Sequence, residues 1–254
     1  MHPIYDALLA DLPAERVHAG AIAPVWTWVI ADGGTGIAMT PPQSYQLTTL
    51  RGQVAGMTLP DLARYVHSWN FHEAALGLAA VNAFRNRAHL LGQDDRMVVT
   101  KPGRGGSFGG LEAALTGKKV AVIGHGPHIR QIQDRCQLTV LERLPQAGDL
   151  PDPACEYVLP EQDFVFITAT ALENKTMPRL LELSASAFTA IIGPSTPLSP
   201  LLFGFGVDAL FGYLIDDADQ VVRVAGEGGY FKDFHAHTTR VDWFADAAMV
   251  PRAG

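Results

Sequence analysis

The segment with the clearest chemical signature is a glycine turn that follows an apolar run. Residues 120–124 read VAVIG, and Gly126 follows two positions later. Nucleotide-binding turns use glycines for a tight turn and for close approach to phosphates, but Ile129 replaces the third glycine of that fingerprint. Glu142, 18 residues after Gly124, suits a carboxylate that binds ribose hydroxyls. Gly124, Gly126 and Glu142 are therefore candidate contacts for NAD or S-adenosylmethionine, the alternative being a tight turn beside a surface acid.

Polar and glycine-rich segments also follow later apolar runs. The carboxyl ends of parallel strands gather at one edge of a sheet, where ligands bind. Backbone N–H groups at helix starts favour anions there. Single threonines and serines at such positions also cap helices, so Thr176, Ser195 and Thr196 have that alternative role. The candidate ligand contacts at this edge are Gly124, His125, Gly126, Thr170, Asn174, Gly193, Ser195 and Thr196.

A second polar group opens a long helix in the first part of the chain. Asn70 and Glu73 are three residues apart in SWNFHE, so both can lie on one face of the helix. They are candidate ligand or metal contacts, or they form a capping box with Asn70 as the cap. Asn82 lies inside the same apolar helix, where a buried hydrogen-bonding role is expected.

Metal binding rests on scattered donors. Glu73, His125, His235 and His237 are the candidate ligands, and the two C-terminal histidines share a face if that segment is extended. An exposed loop is the competing interpretation of that pair. The sequence contains no HExxH or CxxC motif, and Cys136 and Cys155 cannot form a four-thiolate site.

Several function classes are disfavoured. The sequence lacks the GxSxG turn of many hydrolases and the Walker A motif of phosphate-binding loops. A net charge of −7 and a pI of about 5.7 argue against nucleic-acid binding. The apolar stretch 183–207 is broken by glycines and prolines, so no membrane span is expected. We expect a cytoplasmic protein, leave a homodimer open, and find no residue pair that defines a reaction.

The elements that must position these residues fall into two parts. The first contains a short helix over residues 1–11, strands at 17–20, 25–31 and 36–40 with a hairpin at Gly33 and Gly34, and helices from Pro60 and Phe71. Small residues of the second of these helices permit close packing. Strands followed by helices indicate an α+β domain over residues 1–100. The glycine-rich segment 101–118 is the expected connector.

The second part, residues 119–254, alternates apolar runs with helical segments. The runs at 120–124, 138–142, 164–168, 188–193 and 209–215 suit parallel strands covered on both faces. The intervening helices are expected at residues 127–135, 175–185, 198–204 and 217–226. This alternation predicts an α/β domain with a Rossmann-like parallel sheet.

Five segments together resemble the DUF364 family, also called the putative heavy-metal chelation domain family. They are SWNFHEAALGLAAVNA (68–83), VAVIGHGP (120–127), ERLPQAGDLPD (142–152), LPEQDFVFITATALENKT (159–176) and GPSTPLSPLLFGFGVDALFGYLI (193–215). The resemblance implies a DUF4213-like N-terminal part with an enolase N-terminal-like fold and a Rossmann-like C-terminal part. It also implies a site in the cleft between them. The matching positions are Asn70, Glu73, Asn82, Gly124, Asn174, Thr176, Gly193, Pro194 and Ser195.

These observations predict a protein that binds a small ligand between two domains. The ligand is a transition or heavy metal ion, a metal chelate or a small anion. Glu73 and one or more histidines are the expected donors if a metal binds. An enzyme that uses NAD or S-adenosylmethionine is the alternative, and a non-catalytic binding protein is a third hypothesis.

Overall fold

A computed structural model describes residues 2–42, 48–100 and 108–251, apart from the side chains of Pro127 and His128. These residues form a mixed α/β structure with a three-stranded and an eight-stranded sheet. The strands are β1 (Val17–Ile22), β2 (Trp26–Ala31), β3 (Gly34–Met39), β4 (Met97–Thr100), β5 (Lys119–Ile123), β6 (Gln137–Glu142), β7 (Leu150–Pro151), β8 (Phe164–Thr168), β9 (Phe188–Ile192), β10 (Ala209–Ile215) and β11 (Thr238–Phe244). The helices are α1 (Pro3–Leu9), α2 (Leu59–Ala63), α3 (Phe71–Arg85), α4 (Ala88–Leu91), α5 (Cys155–Val158), α6 (Thr170–Glu173), α7 (Met177–Leu183), α8 (Ala218–Gly226) and α9 (Phe231–Phe234).

The small sheet is antiparallel and is covered by α3. β2 pairs with both β1 and β3, and the predicted glycine hairpin joins β2 to β3. Gly36 of β3 lies against α3, where an added Cβ would collide with backbone atoms of Ala79 and Ala83. The prediction that small residues allow α3 to pack closely is therefore confirmed.

The large sheet has the order β4-β11-β10-β9-β8-β5-β6-β7. The strands from β10 to β7 in this order are parallel, and they include the five runs predicted as parallel strands. From β5 the chain proceeds to β6 on one side, and later to β8, β9 and β10 on the other. The strand order therefore reverses at β5, which opens a crevice between the loops that follow β5 and β8.

The prediction of a parallel sheet from residue 119 onward is incomplete. β11 pairs antiparallel with β10, and β4 pairs antiparallel with β11. β11 contains Arg240 and Asp242, and these charged residues interrupt the apolar pattern by which the other strands were predicted. Both side chains are buried, and Arg240 Nε lies 2.8 Å from Asp242 Oδ1, so the strand carries its own ion pair.

Two predicted helices are shorter turns. Residues predicted as helix over 127–135 and 198–204 form 3-10 turns over Pro127–Gln131 and Pro200–Phe205. In these turns the backbone hydrogen bonds span three residues, from the Ile129 N–H to the Gly126 carbonyl and from the Leu202 N–H to the Ser199 carbonyl, which is the 3-10 and not the α-helical pattern. α7 and α8 lie within the ranges predicted for them.

The two sheets share one hydrophobic core. Val29 of β2, Leu78 of α3, Ile167 of β8 and Leu198 belong to the same cluster of buried side chains. β4, which the sequence placed in the first domain, lies at one edge of the large sheet. Residues 101–107 of the predicted connector lie outside the described residues, and the domain boundaries stay a prediction. In the described part of the chain, no helix combines the length and apolarity that a bilayer crossing requires.

Candidate functional site

A cleft of about 1000 Å³ lies at the carboxyl ends of the large-sheet strands. The first part of the chain contributes Trp26, Met39, Pro41, Pro42 and Phe71 to its wall. Opposite them lie loops that follow β5, β6, β8 and β9, with Phe211 and Tyr213 of β10. The sequence-predicted residues that line this cleft are Gly124, His125, Gly126, Glu142, Thr170, Asn174 and Gly193. The predicted edge of the sheet is therefore a real concavity.

The glycine turn after β5 forms one wall of the crevice. Gly124 has a φ of +98°, which is strained for residues with a side chain. An added Cβ would lie 3.1 Å from Cβ and Cγ2 of Thr168, at the end of β8. Gly124 therefore allows the loops on either side of the strand reversal to approach each other.

The carboxylate of Glu142 stabilises this turn by accepting hydrogen bonds from backbone N–H groups. Its Oε2 accepts a hydrogen bond from the backbone N–H of His125 at 2.7 Å. Its Oε1 accepts from the backbone N–H groups of Arg143 at 2.6 Å and Leu144 at 3.3 Å. The carboxylate thus fixes the local backbone, and its predicted contact with ribose stays a prediction. Ile129 packs into the core beneath the turn, where the nucleotide fingerprint has glycine.

His125 carries a second, side-chain interaction. Its Nδ1 lies 2.9 Å from Oδ2 and 3.0 Å from Oδ1 of Asp149. The Asp149 side chain is only 4% exposed, whereas that of His125 is 30% exposed. Asp149 also accepts a hydrogen bond from the backbone N–H of Gln146 at 2.9 Å. Sequence reasoning selected His125 but missed Asp149, which lies 24 residues away and has no motif around it.

The loop after β8 is organised by its own polar side chains. The hydroxyls of Thr168 and Thr170 are hydrogen-bonded at 3.1 Å. Oδ1 of Asn174 accepts from the backbone N–H of Thr176 at 3.1 Å and from its hydroxyl at 2.6 Å. Thr176 is the residue before α7, but its side chain does not cap that helix. The capping alternative for Thr176 is therefore wrong, because its hydroxyl donates to Asn174 instead.

Glu173, also in the cleft wall, was missed by the sequence analysis. Its side chain is 0% exposed, and neither carboxyl oxygen hydrogen-bonds to any described residue. Burial raises its pKa well above the usual value, although the charge of Lys175 opposes this. Lys175 has a left-handed φ of +70°, and its Nζ donates to the backbone oxygen of Val66 at 2.5 Å. Burial lowers the pKa of Lys175 to about 8.

Ser195 and Thr196 do not line the cleft, and they connect the two sheets instead. The hydroxyl of Ser195 accepts from the backbone N–H of Met39 at 2.8 Å, and its carbonyl accepts from Asn82 Nδ2 at 2.9 Å. The carbonyl of Thr196 accepts from Asn86 Nδ2 at 2.9 Å. Asn82 also donates to the carbonyl of Ile37, so its predicted role as a buried hydrogen-bonding residue is confirmed.

Asn70 and Glu73 also lie outside the cleft lining. Asn70 caps α3 by accepting from the backbone N–H of His72 at 3.1 Å. Oε1 of Glu73 accepts from the N–H and hydroxyl of Thr49, each at 2.7 Å, and Oε2 accepts from Ser68 at 2.7 Å. Burial acts to raise the pKa of Glu73, but these hydrogen bonds outweigh it and hold the pKa below its usual value. Glu73 therefore ties the chain near Thr49 to the start of α3.

The candidate metal ligands are not brought together. His235 and His237 lie in a 3-10 turn, not in an extended segment, so their expected common face is wrong. His235 Nδ1 is 2.8 Å from the Lys232 carbonyl, and His237 is 3.7 Å from Asp217. Within residues 2–42, 48–100 and 108–251, no three His, Cys, Asp or Glu residues form a group that could hold an ion.

Cys155 is the cysteine in the cleft wall. It is buried, and burial raises the pKa of its thiol to about 11. A thiol must lose its proton to bind a metal strongly. At neutral pH, Cys155 is therefore a small apolar side chain of the wall.

Comparison with known proteins shows two family models that match this chain. The model of DUF364, described as "Putative heavy-metal chelation", matches residues 110–244, and DUF4213, with the same description, matches residues 5–84. A DUF364 protein of unknown function from Desulfitobacterium hafniense has a TM-score of 0.83 and 32% identity over 95% of this chain and 96% of that one.

Two further proteins are similar. A DUF364 protein of unknown function from Pyrococcus horikoshii has a TM-score of 0.74 and 22% identity, over 94% of this chain and 96% of its own, and shares the fold. An uncharacterised protein of Methanocaldococcus jannaschii is 29% identical over 202 residues, which are 74% of this chain and 72% of that protein.

Proposed function

The chain belongs to the DUF364 family, and from that premise we propose that its cleft binds one small organic ligand that carries its own anionic or metal-binding groups. A metal chelate and a small organic anion are the two forms of this ligand. The proposal rests above all on the cleft itself, which collects residues from both sheets at the strand reversal.

The size and surface of the cleft fit such a ligand. Small-molecule pockets have volumes of roughly 300–1,000 Å³ and apolar walls with a few polar groups. This cleft has a volume of about 1000 Å³, and Trp26, Phe71, Phe211, Tyr213 and Phe231 contribute aromatic surface to it. A bare ion would occupy a small fraction of that space.

The donor set does not fit a heavy-metal ion held by protein side chains alone. Such ions need several nitrogen, sulfur or carboxylate ligands at one point. The described residues provide no group of three such donors. A metal in this cleft therefore needs most of its ligands from an organic chelator.

Two buried polar groups in the cleft wall support an organic ligand. Glu173 and the indole Nε1 of Trp26 have no hydrogen-bond partner among the described residues. A buried polar group without a partner costs about 1–3 kcal/mol. A ligand with complementary donors and acceptors would recover part of that cost only where side chains of the wall move, because these polar atoms are buried beneath the cleft surface.

An enzyme that uses NAD or S-adenosylmethionine is the second candidate. The left-handed turn at Gly124 and the position of Glu142 at the end of β6 favour it. The core position of Ile129 and the three backbone hydrogen bonds to Glu142 weigh against it.

The family resemblance also bears on the finer fold and organisation. We propose that residues 1–100 form an enolase N-terminal-like domain and residues 119–254 a Rossmann-like domain, with 101–118 as the connector. The parallel order β6-β5-β8-β9-β10 supports the second assignment. We also propose a cytoplasmic location, which suits a chain whose two cysteines, Cys136 and Cys155, do not form a disulfide with each other.

Calorimetric titration of the purified protein tests the function. The probes are nickel(II) ion, citrate, nickel(II) citrate, NAD and S-adenosylmethionine, each tested alone. We expect one site for citrate or nickel(II) citrate and no comparable site for the bare ion. Binding of NAD or S-adenosylmethionine alone would favour the second candidate. Tight binding of bare nickel(II), unaffected by citrate, would contradict the proposal.

A further inference from the structure

We propose that His125 is the single protein ligand to the metal of a chelate bound in the cleft, and that Asp149 is the residue that positions it. This inference rests on the proposed function. It adds a specific bond to that function: the imidazole Nε2 occupies one coordination position that the chelator leaves open. It also separates His125 from Glu73, His235 and His237, which lie elsewhere.

The hydrogen bond to Asp149 determines which ring nitrogen is available. A carboxylate can only accept hydrogen bonds, so Nδ1 of His125 carries the proton in their contact at 2.9–3.0 Å. In the neutral ring, Nε2 then presents a lone pair. His125 lines the cleft, and Nε2 makes no hydrogen bond to any residue that the structure describes. Metal-binding histidines commonly have this carboxylate partner on the second nitrogen.

The surroundings hold both residues in place. The backbone N–H of His125 is bound by Glu142, and Gly124 donates its N–H to the carbonyl of Leu141 at 2.9 Å. Asp149 immediately precedes β7, which pairs with β6. Its carboxylate is further fixed by the N–H of Gln146. The ring is therefore oriented before any ligand binds, which reduces the entropy lost on binding.

A single nitrogen also matches the finding that the described residues form no cluster of three metal donors. One imidazole cannot hold a free heavy-metal ion tightly, but it can complete the coordination of a metal that a chelator already holds. The chemical class of ligand that fits is thus a metal chelate with one open position for nitrogen. In the binding step, a water on the metal is replaced by Nε2, and no proton or electron is transferred.

Copper(II) iminodiacetate is a suitable probe, because the chelator leaves one planar position of copper open for an imidazole. Copper(II)–EDTA is the matched probe without that position. We would measure binding to the full-length protein by calorimetry and the copper–nitrogen splitting by electron paramagnetic resonance. The variants are His125→Gln and Asp149→Asn, with His89→Gln as the control on an exposed helix residue outside the cleft.

We expect one site that binds copper(II) iminodiacetate at least tenfold more tightly than the other histidines do. Its electron paramagnetic resonance spectrum should show splitting from an imidazole nitrogen. His125→Gln abolishes this site, and His89→Gln keeps it. Asp149→Asn weakens it about 10–100-fold, as expected for loss of a carboxylate behind a metal-binding histidine. The nitrogen NMR signals of His125 in Asp149→Asn then show loss of the Nδ1–H tautomer, which a purely structural role would not produce.

Two results would overturn the inference. One is a tight site that persists in His125→Gln with an unchanged spectrum, and the other is a native protein whose His125 binds no better than exposed histidines. Failure of the proposed function gives a different pattern. In that case neither citrate nor nickel(II) citrate binds in the cleft, whatever the behaviour of His125.

Discussion

Glu173 is the residue whose charge state most directly links the cleft to stability. Its raised pKa means that the native state keeps it protonated above pH 4.5, where the unfolded state loses the proton. The stabilisation that the folded state gains by keeping this proton is therefore fully present below about pH 4.5, and it is lost as the pH rises toward the native pKa of Glu173. The loss amounts to about 1.4 kcal/mol per pH unit in that window.

Glu173→Gln removes this titration and keeps the shape of the side chain. We expect the variant to gain stability relative to the native protein as the pH rises from about 5 to about 7. Denaturant unfolding at several pH values measures the difference. Glu182→Gln, at an exposed carboxylate of α7, is the control and shows no such trend. A difference that stays constant with pH would mean that Glu173 is ionised in the native protein.

Asn82 has the buried hydrogen-bonding role that its position inside an apolar helix predicted. Its amide donates to the carbonyls of Ile37 and Ser195 and so joins α3, β3 and the loop after β9. Asn82→Leu leaves both carbonyls without this donor, and we expect a loss of about 2–4 kcal/mol in the free energy of unfolding. Gln133→Leu, at an exposed amide, should change it by less than about 0.5 kcal/mol. An equal, small effect in both variants would contradict this assignment.

At the scale of elements, the sequence predicted the parts whose pattern is local. Continuous apolar runs identified the five parallel strands, and glycines identified the hairpin and the turn after β5. β11 was missed because Arg240 and Asp242 interrupt its apolar pattern with two charges. The ion pair that lets both side chains be buried exists only in the folded strand. Ser195 and Glu73 were assigned to the cleft because their hydrogen-bond partners, Met39 and Thr49, are distant in sequence. Asp149 and Glu173 lack a local motif, so only the fold could identify them.

The turn after β5 makes an element-scale prediction. Gly124→Ala places a Cβ 3.1 Å from Thr168 at a φ of +98°, and we expect a loss of about 1–3 kcal/mol in stability. Gly117→Ala has a similar φ of +74° but nothing within 4 Å, so its cost should be lower. Adding Thr168→Ser to Gly124→Ala removes the crowded methyl group and should recover part of the loss. Thermal unfolding of the four proteins tests this, and equal costs at both glycines would contradict it.

At the scale of the whole molecule, we propose that the cleft acts as one binding site shared by both sheets. Trp26, Met39 and Phe71 face the loops after β5, β8 and β9 across it. The hydrogen bonds of Asn82, Asn86 and Ser195 fix the two sheets relative to each other. The cleft is therefore preformed, so ligand binding should require little rearrangement of the backbone.

Native mass spectrometry of the protein purified from cells tests this central claim most directly. The comparison uses the native chain, Thr170→Trp, which places an indole in the cleft and narrows it, and Thr116→Trp, which adds the same side chain at an exposed position outside it. We predict that a small organic ligand, with or without a metal, accompanies the native protein and Thr116→Trp but not Thr170→Trp. A bound species of equal occupancy on all three proteins, or a metal ion without organic mass, would contradict the account.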